Sequence, residues 1–539
     1  MATVVREIER KFQAPESVAV LAAIRDMAGQ AGVAAVAQRD EQVLDASYYD
    51  TADLRLIRRG ITLRRRSGGA DAGWHLKLPV GADTRDEIHL PAAEPTGEPS
   101  AKPAAGPAGQ AAAGPAGRPG GTRARGVPRE LAGLVRAYTR GSALVPVVHM
   151  RTSRSVLALL DGAGRTLAEI AADHATAEQM DGSSATSWDE IEVELVAGGR
   201  DLLTAVDARL RAAGARPAAT ATKLERALGD RLAAARRAAG DASAGAADAR
   251  SPRLSPRSPA GDVVLAYLRR QADAIVRYDP LVRRDAPDAV HQMRVATRRA
   301  RSALQAFREV IDPAPARPLR DELKWLATVL GQARDAEVLL ARLAGDLARI
   351  SPDLVAGPVT ERIAGHFGTE SARAREAVLR ELDGRRYLRL LDGFDALIAD
   401  PPLTPLAARK AGKALAKPVR RAGRRLERAL AAVPGAADRD TAIHEARKAA
   451  KRARYAAEAA APALGGAARR QVSRAKSLQG LLGDHHDSVV ARQVLRTLAR
   501  QALQAGEDTF TYGLMYGRQA CQAADIERAL AAATGRPNP

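Results

Sequence analysis

The chain has 539 residues, a formal net charge of +20 at pH 7 and a single cysteine, Cys521. This length exceeds that of most single domains, so two or three hydrophobic cores are expected. One cysteine excludes a disulfide framework and any zinc site built from several cysteines. An aromatic content of 3% argues against binding of single-stranded nucleic acid by base stacking.

The positive charge is concentrated in the C-terminal half. Residues 261–539 contain 48 Lys and Arg against 32 Asp and Glu, which accounts for +16 of the total of +20. Such an excess favours nucleic acid, anionic lipid or polyphosphate as partners. The sequence contains no apolar stretch typical of a secretory signal or a transmembrane helix, so a cytoplasmic protein without a membrane segment is predicted.

Residues 1–90 and 145–196 have the alternating pattern of β-strands. Short runs in which apolar and polar residues alternate are separated by turn-rich stretches, and the run from Glu190 to Leu195 has a strict period of two. Helices are predicted beside these strands at Ser17–Gln30 and Asp201–Ala213. The pattern predicts an α+β domain over residues 1–230.

Two segments rich in Ala, Pro, Gly and Ser divide the chain further. Residues 91–128 are predicted to be a disordered insertion within the first domain, and residues 231–259 a linker. Beyond the linker, long Ala-, Leu- and Arg-rich segments broken by Pro or Gly predict an all-helical domain over residues 260–505. A C-terminal helical tail is predicted for residues 506–539.

Charged residues recur at alternate positions on several of the predicted strands. Glu7, Glu9 and Lys11 share one strand face, and two neighbouring carboxylates are unfavourable unless a cation lies between them. Mg²⁺ and Mn²⁺ prefer carboxylate oxygens. A single Glu-x-Glu is more often an exposed sheet face. However, other strands carry a second acidic row, Glu190, Glu192 and Glu194, and basic positions at Arg64, Arg66 and Lys77. So many charged positions favour a closed, polar-lined barrel.

These motifs resemble the CYTH family, the triphosphate tunnel metalloenzymes, whose Glu-x-Glu-x-Lys motif stands here at Glu7, Glu9 and Lys11. The likeness continues through residues 49–51, 63–66, 74–77, 85–87, 151–154, 173, 190–194 and 222–226, with Thr222 in place of the usual serine. The resemblance implies a closed antiparallel eight-stranded tunnel with flanking helices that binds triphosphate and Mg²⁺ or Mn²⁺.

The same resemblance implies roles for individual residues. Glu7, Glu9 and Lys11 are the implied catalytic residues. The implied metal ligands are Glu7, Glu9, Asp173, Glu190, Glu192 and Glu194. The implied phosphate-binding residues are Arg64, Arg66, Lys77, Arg151, Arg154 and Lys223, together with Lys11.

The helical half contains an internal repeat. The segment from His291 to Arg301 returns 153 positions later as the segment from His444 to Arg454. Each copy is followed by a Leu-Gly pair and an aspartate, at residues 330–335 and 482–487. The repeat predicts two helical halves of similar architecture.

Each copy of the repeat places a basic stripe on one helix face. The stripes are His291, Arg294, Arg298 and Arg301, then His444, Arg447, Lys451 and Arg454. Like charges at this spacing cost a few tenths of a kcal/mol per pair unless an anion neutralises them, and the guanidinium group suits phosphate oxygens. The alternative is a solvated face, or pairing with Asp335 and Asp487. Recurrence of the stripe argues against that alternative.

Both copies resemble the CHAD family, the conserved histidine α-helical domain. The likeness rests on Val290 to Arg301, on Leu330 to Asp335 and on their second copies, and it covers residues 260–500. It implies two pseudo-symmetric four-helix bundles that bind inorganic polyphosphate through the two stripes.

The two resemblances together predict a metal-dependent inorganic triphosphatase coupled to a polyphosphate-binding module. Two alternatives stay open at this point: a non-catalytic protein that binds polyphosphate granules, and an adenylate cyclase of the CYTH type. Nucleic acid is a disfavoured partner because the sequence has no DNA-reading helical motif. The predicted location is the cytoplasm, with association to polyphosphate granules, and the sequence predicts no particular oligomeric state.

Overall fold

The computed structural model describes residues 3–13, 17–81, 83–91, 126–240 and 254–533. It divides into two compact units, Met1–Ala249 (unit 1) and Arg250–Pro539 (unit 2). The predicted disordered insertion falls mainly on residues 92–125, which lie outside the described residues, and so do residues 241–253 of the linker predicted for residues 231–259. Within the described ranges, no helix combines the length and hydropathy needed to cross a lipid bilayer.

Unit 1 is built from strands with short flanking helices. The strands are β1 (Thr3–Gln13), β2 (Ala35–Gln38), β3 (Gln42–Asp50), β4 (Thr62–Ser67), β5 (Gly73–Pro79), β6 (Thr84–Pro91), β7 (Val145–Leu160), β8 (Thr166–Gln179), β9 (Ala185–Leu195) and β10 (Arg216–Pro217). The helices are α1 (Ser17–Arg25), α2 (Arg129–Leu134), α3 (Arg136–Thr139), α4 (Arg200–Ala212) and α5 (Lys223–Ala238).

Eight of these strands form a closed antiparallel ring in the order β1, β6, β5, β4, β3, β7, β8, β9. The ring closes because β1 also pairs with β9, with Glu9 opposite Glu194 and Lys11 opposite Glu192. Strands β2 and β10 add to β7 and β1 outside the ring. The predicted closed tunnel of eight strands is confirmed.

Alternation along the strands separates an apolar outer face from a charged inner face. Helices α1 and α4 contribute Ile24 and Val206 to a core that also contains Ile170 and Ile191 of β8 and β9. Each fully buried Leu or Ile side chain of such a core contributes about 1.5–3 kcal/mol. The charged residues at the intervening positions therefore point into the tunnel.

The last helix of unit 1 begins with a cap. Thr222 accepts a hydrogen bond from the Glu225 backbone N–H (3.0 Å), and the Glu225 carboxylate accepts one from the Ala221 N–H (3.0 Å). This pattern is a variant of the capping box in which Glu225 reaches the residue before the N-cap, and threonine serves as the cap as serine does. It fixes Lys223 at the first position of α5. The helix continues to Ala238, eight residues beyond the boundary predicted at residue 230.

Unit 2 is helical throughout its described residues, as predicted. Its helices are α6 (Ala260–Arg283), α7 (Ala289–Ala306), α8 (Pro313–Leu347), α9 (Val359–Asp383), α10 (Arg385–Ala399), α11 (Ala411–Ala414), α12 (Ala416–Ala432), α13 (Arg439–Gln504) and α14 (Phe510–Ala533). Helix α13 changes direction at Gly465, whose φ of 56° lies in the left-handed region that glycine adopts readily. The division into two four-helix bundles stays a prediction.

Residues predicted as a C-terminal tail pack into the body of unit 2. Tyr512 and Met515 of α14 are fully buried in a core that also contains Phe367 of α9 and Leu495 of α13. Leu530 packs against a second core with Leu482 and Ala453. Helix α14 is therefore part of the folded unit.

Candidate functional site

The tunnel of unit 1 encloses a cavity of about 510 Å³ whose lining is mostly charged. Among the described residues that line it, eight are basic and eight are acidic. The basic residues are Lys11, Arg39, Arg64, Arg66, Lys77, Arg85, Arg154 and Lys223, and the acidic residues are Glu7, Glu9, Asp40, Asp71, Glu87, Glu169, Glu192 and Glu194. Positive and negative side chains are thus balanced inside the tunnel.

Three carboxylates from β8 and β9 converge on one side of the tunnel. One oxygen each of Asp173, Glu190 and Glu192 lies within 4.8 Å of the others. Lys223 contacts all three, with its Nζ 2.8 Å from Asp173 Oδ2 and 2.7 Å from an oxygen of each glutamate. Arg154 of β7 contacts Asp173 at 2.6 Å and Glu192 at 2.7 Å.

These ion pairs keep both signs of charge ionised despite burial. Burial alone would raise the pKa of Glu192, but the charges of Lys11 and Lys223 outweigh it and hold that pKa well below its usual range. Burial alone would lower the pKa of Lys223, but the three carboxylates raise it instead. The lysine therefore stays protonated among ionised carboxylates.

The Glu-x-Glu-x-Lys row of β1 faces the same cavity. The Lys11 Nζ lies 3.4 Å from Glu9 Oε2 and is also ion-paired to Glu192 across the seam between β1 and β9. The Lys77 Nζ of β5 lies 2.6 Å from Glu7 Oε2. Burial would raise the pKa of Glu9, but the charges of Lys11 and Lys77 outweigh it and lower that pKa.

Sequence reasoning assigned no role to Arg85 and Glu87 of β6, which line the cavity. Arg85 Nη1 lies 3.1 Å from Glu9 Oε1, and Glu87 accepts a hydrogen bond from the carboxyl group of Glu7. Burial first, and then this hydrogen bond, raise the pKa of Glu7 to about 8, so the two carboxyl groups share one proton. Arg85 and Glu87 are two positions apart on β6, so they share a strand face, and β6 pairs with the strand that carries the Glu-x-Glu-x-Lys motif. This spacing is the sequence signal that could have identified both as tunnel residues.

The row Arg64 and Arg66 of β4 supplies donors to the opposite wall. Arg64 Nη1 donates to the Tyr48 hydroxyl at 3.4 Å, and Arg66 is ion-paired to Asp71. The Nε atoms of both guanidinium groups are buried without a hydrogen-bond partner among the described residues. These N–H groups can bind an anion in the cavity.

Arg151 is a correction to the sequence prediction, which made it a phosphate-binding residue. It is exposed and does not line the tunnel. Arg151 and Arg154 are three positions apart on β7, so their side chains point to opposite faces of the strand. Arg154 points inward to Asp173, and Arg151 therefore points outward.

The acidic residues of the tunnel fit a hard divalent cation. Asp173, Glu190 and Glu192 offer only carboxylate oxygens, which Mg²⁺ and Mn²⁺ prefer, and these oxygens are close enough to share one ion. The other predicted ligands, Glu7, Glu9 and Glu194, line the tunnel cavity together with Glu192. The structure brings three of the six predicted ligands into one cluster.

Unit 2 contains a separate cavity of about 670 Å³ that both basic stripes line. Helix α7 contributes His291, Arg294, Arg298 and Arg301, and helix α13 contributes His444, Arg447 and Lys451. Arg454, predicted as the last member of the second stripe, is a correction, because it does not line the cavity. Its Nε donates instead to Glu458 Oε1 at 2.7 Å.

The cavity of unit 2 has a strong excess of positive charge. Among the described residues that line it are seven Lys and Arg, three His and only two Asp. Asp335 contacts Arg294 at 2.8 Å and Asp487 contacts Arg447 at 3.6 Å. The predicted pairing with aspartate thus reaches only one arginine of each stripe.

Unneutralised cations in this cavity perturb one another. Burial and the charges of Arg447 and Arg298 lower the pKa of Lys451 to about 7. Burial and the charge of Arg447 lower the pKa of His486 to about 4. Basic side chains in the cavity therefore create a positive potential, which favours an anion.

Comparisons with known proteins identify a domain in each unit. Family models of a CYTH domain and a CHAD domain match residues 5–226 and residues 266–496. An uncharacterized protein of Mycobacterium tuberculosis, found in two strains, is 37% identical over 532 residues, which cover 95% of this chain and 93% of that protein.

Two solved structures are similar to part of the chain. PptA from Streptomyces chartreusis is 25% identical with a TM-score of 0.45, over 52% of this chain and 100% of that one. The CHAD domain from the plant Ricinus communis is 29% identical with a TM-score of 0.43, over 53% of this chain and 95% of that one. From the family models and the relative that matches nearly its whole length, the chain belongs to the family of proteins in which a CYTH domain is followed by a CHAD domain.

Proposed function

We propose that unit 1 hydrolyses inorganic triphosphate or short polyphosphate in a metal-dependent reaction, and that unit 2 binds polyphosphate. The observation that carries the first part is the tunnel in which a carboxylate cluster, Asp173, Glu190 and Glu192, lies beside convergent Lys and Arg side chains. The CYTH domain is the fold of the triphosphate tunnel metalloenzymes, and CYTH domains are metal-dependent.

Mg²⁺ or Mn²⁺ would be held by Asp173, Glu190 and Glu192, and further candidate ligands are Glu7, Glu9 and Glu194. When bound, the ion would neutralise phosphate charge and activate water. Lys223 and Arg154 lie beside the same carboxylates. They are therefore placed to bind phosphate oxygens at that wall of the tunnel. Arg64, Arg66, Lys77 and Lys11 bind phosphate oxygens from the remaining walls.

The chemistry requires little beyond positioning and electrostatics. Water attacks the terminal phosphorus, the bond from that phosphorus to the bridging oxygen breaks, and diphosphate and phosphate leave. Negative charge spreads over the oxygens of the transferred group in the transition state, and fixed cations stabilise it. The ion pairs of the tunnel hold these cations in place before substrate binds, so little reorganisation is needed.

The lining also favours inorganic triphosphate over a nucleotide. Tyr48 is the one aromatic side chain among the described lining residues, and it is buried with its hydroxyl beside Arg64. An adenine base would find no other aromatic surface to stack on. This supports triphosphate hydrolysis over the adenylate cyclase reaction.

The proposal for unit 2 depends on its charge. Seven Lys and Arg and only two Asp are among the described lining residues, and Arg298, Arg301 and Lys451 have no ion pair among the described residues. These like charges repel one another until an anion enters. A linear chain of phosphates carries repeated charge and accepts bidentate hydrogen bonds from arginine. Association with polyphosphate granules follows from this binding and stays a prediction.

Phosphate release from triphosphate, polyphosphate and ATP in Mg²⁺ or Mn²⁺ tests the activity. We expect release from triphosphate that is lost in Glu9→Ala and retained in Glu178→Gln, a control on the outer, exposed side of β8. Binding without release in either metal would favour the non-catalytic alternative. Cyclic AMP formed from ATP would favour the cyclase.

Binding of long-chain polyphosphate to the full chain tests the second part. We expect Arg298→Ala to weaken binding while triphosphate hydrolysis is unchanged, since Arg298 lines only the cavity of unit 2. Arg500→Ala, an exposed position on α13 that lines neither cavity, is the control. Equal binding by wild type and Arg298→Ala would contradict the proposal.

A further inference from the structure

Unit 2 has a second, smaller cavity of about 80 Å³ where α7, α12 and α13 meet. We call it the basic groove. Its polar lining is Ser302, Gln305, Arg308, Arg421, Arg425 and Arg452. Pro418 and Ala422 supply apolar surface between these side chains. No motif in the sequence singled out this place, because its arginines lie in the turn after α7, on α12 and on α13.

The basic groove continues the first stripe. Arg301 lines the large cavity, and the next residue, Ser302, lines the groove. Gln305 follows Arg301 by one helical turn and so lies on the same face of α7. Arg308 lies in the turn just after the helix ends at Ala306. The polar row of α7 therefore runs from one cavity into the other without a break.

Charge is continuous across the same boundary. After burial, repulsion from Arg452 is the next cause that lowers the pKa of Arg301, which places the two guanidinium groups within electrostatic reach of each other. Arg301 lines the large cavity and Arg452 lines the groove. An anion leaving the large cavity past Arg301 therefore meets another cation.

Helix α12 makes the groove strongly basic. Residues 416–432 contain six Lys and Arg and one Glu. Arg421 is paired with Glu309 at 2.7 Å. In contrast, Arg308, Arg425 and Arg452 form no ion pair within the part of the chain that the structure describes. Three cations therefore remain available to a ligand.

We propose that the basic groove binds the continuation of a polyphosphate chain whose other part lies between the two stripes. The inference rests on the proposed polyphosphate binding of unit 2 and specifies where a long chain leaves the cavity. Arg294 and Gln305 are about 16 Å apart along α7 at about 1.5 Å per residue. A triphosphate is too short to reach both regions, so unit 2 discriminates in favour of long chains.

The test compares long-chain polyphosphate with triphosphate, bound to the full chain in EDTA so that hydrolysis consumes neither ligand. We expect the double variant Arg425→Glu/Arg452→Glu to weaken binding of the long chain by about tenfold or more, because two favourable charges become repulsive. Binding of triphosphate is expected to be unchanged. The dependence of long-chain affinity on salt concentration should also become shallower.

The matched control is Arg496→Glu/Arg500→Glu, which makes the same change in charge at exposed positions of α13 outside both cavities. If the groove variant loses no more affinity than this control while Arg298→Ala does lose affinity, the groove inference is wrong and the proposed function stands. If Arg298→Ala also binds the long chain normally, the proposed function of unit 2 fails. Circular dichroism of each variant verifies that unit 2 is folded.

Discussion

The tunnel and the helical cavity are both proposed to bind phosphate chains, but the charges that line them differ. Among the described lining residues, eight basic side chains face eight acidic ones in the tunnel, whereas seven Lys and Arg face two Asp in the helical cavity. Six of the eight basic side chains that line the tunnel are ion-paired to carboxylates, namely Lys11, Arg66, Lys77, Arg85, Arg154 and Lys223. In the helical cavity, Arg298, Arg301 and Lys451 have no ion pair among the described residues and are left for an anion.

Two buried lysines show what the difference does to individual groups. Lys223 lies among three carboxylates, which raise its pKa despite burial. Burial and neighbouring arginines lower the pKa of Lys451 to about 7. The ion pairs of Lys223 therefore favour the folded state, whereas the burial of charged Lys451 among arginines opposes it.

The largest expected effect tests this contrast directly. Lys223→Met leaves Asp173, Glu190 and Glu192 with fewer counter-charges, so we expect unit 1 to lose about 3 kcal/mol of unfolding free energy without metal. Lys451→Met removes repulsion, so unit 2 should keep or gain stability. Denaturation in a Trp325→Phe background, which leaves Trp74 and Trp188 of unit 1 as the fluorescent tryptophans, measures unit 1, and helical circular dichroism measures unit 2. An equal loss in the two variants would remove the contrast.

The next effect concerns catalysis in the tunnel. Arg154→Ala removes a cation that contacts Asp173 and Glu192, and we expect kcat for triphosphate to fall by about 100-fold. Arg151→Ala, three positions away on the outer face, should leave kcat unchanged. Steady-state phosphate release measures both variants. A comparable fall in Arg151→Ala would show that the inward assignment of Arg154 does not explain activity.

A smaller effect is the uptake of a proton by Lys451 when polyphosphate binds to unit 2. The pKa of Lys451 falls from 10.5 to about 7 on folding, so the unfolded chain binds more protons between these pH values and the stability of unit 2 rises with pH across that window. Polyphosphate reverses the shift, and binding at pH 8 should take up close to one proton. Calorimetry in buffers of different protonation enthalpy measures the uptake, and Lys451→Met should abolish most of it. Unchanged uptake in that variant would assign the proton elsewhere.

The smallest effect involves the glycine in each repeat. A Cβ at Gly331 would lie 3.3 Å from Arg294 Nη2, whereas a Cβ at Gly483 would meet no atom within 4 Å. Replacing a helical Gly with Ala is worth about 1 kcal/mol. We expect Gly483→Ala to gain that stability, and Gly331→Ala to gain less and to bind polyphosphate more weakly. Thermal denaturation and polyphosphate binding measure both variants. Equal stability and equal affinity in the two would show that Arg294 does not require the absence of a side chain at Gly331.

The sequence predicted features that follow from local periodicity. The charged rows of β1, β4 and β9 and the stripe on α7 all face their cavities, because a period of two or of about 3.6 determines which side chains share a face. The closed tunnel is confirmed for the same reason, since so many charges at alternate strand positions need a polar interior.

The remaining features depend on information that periodicity does not carry. Arg151 and Arg154 belong to one motif, but only the register of β7 with β8 shows which of them faces Asp173. Arg85 and Glu87 become part of the site through pairing with β1 and β5. Arg454 is different, because its partner Glu458 lies one helical turn later, and that spacing is visible in the sequence.

The seam between β1 and β9 has a consequence for how the chain folds. Lys11 meets Glu192 there, so the tunnel cannot close until residues about 180 positions apart have come together. Contacts of such long range slow folding, whereas successive helices of unit 2 pack on near neighbours in sequence. On a ribosome, the ring stays open until β9 has emerged. Its charged interior therefore stays open to water until β1 and β9 pair.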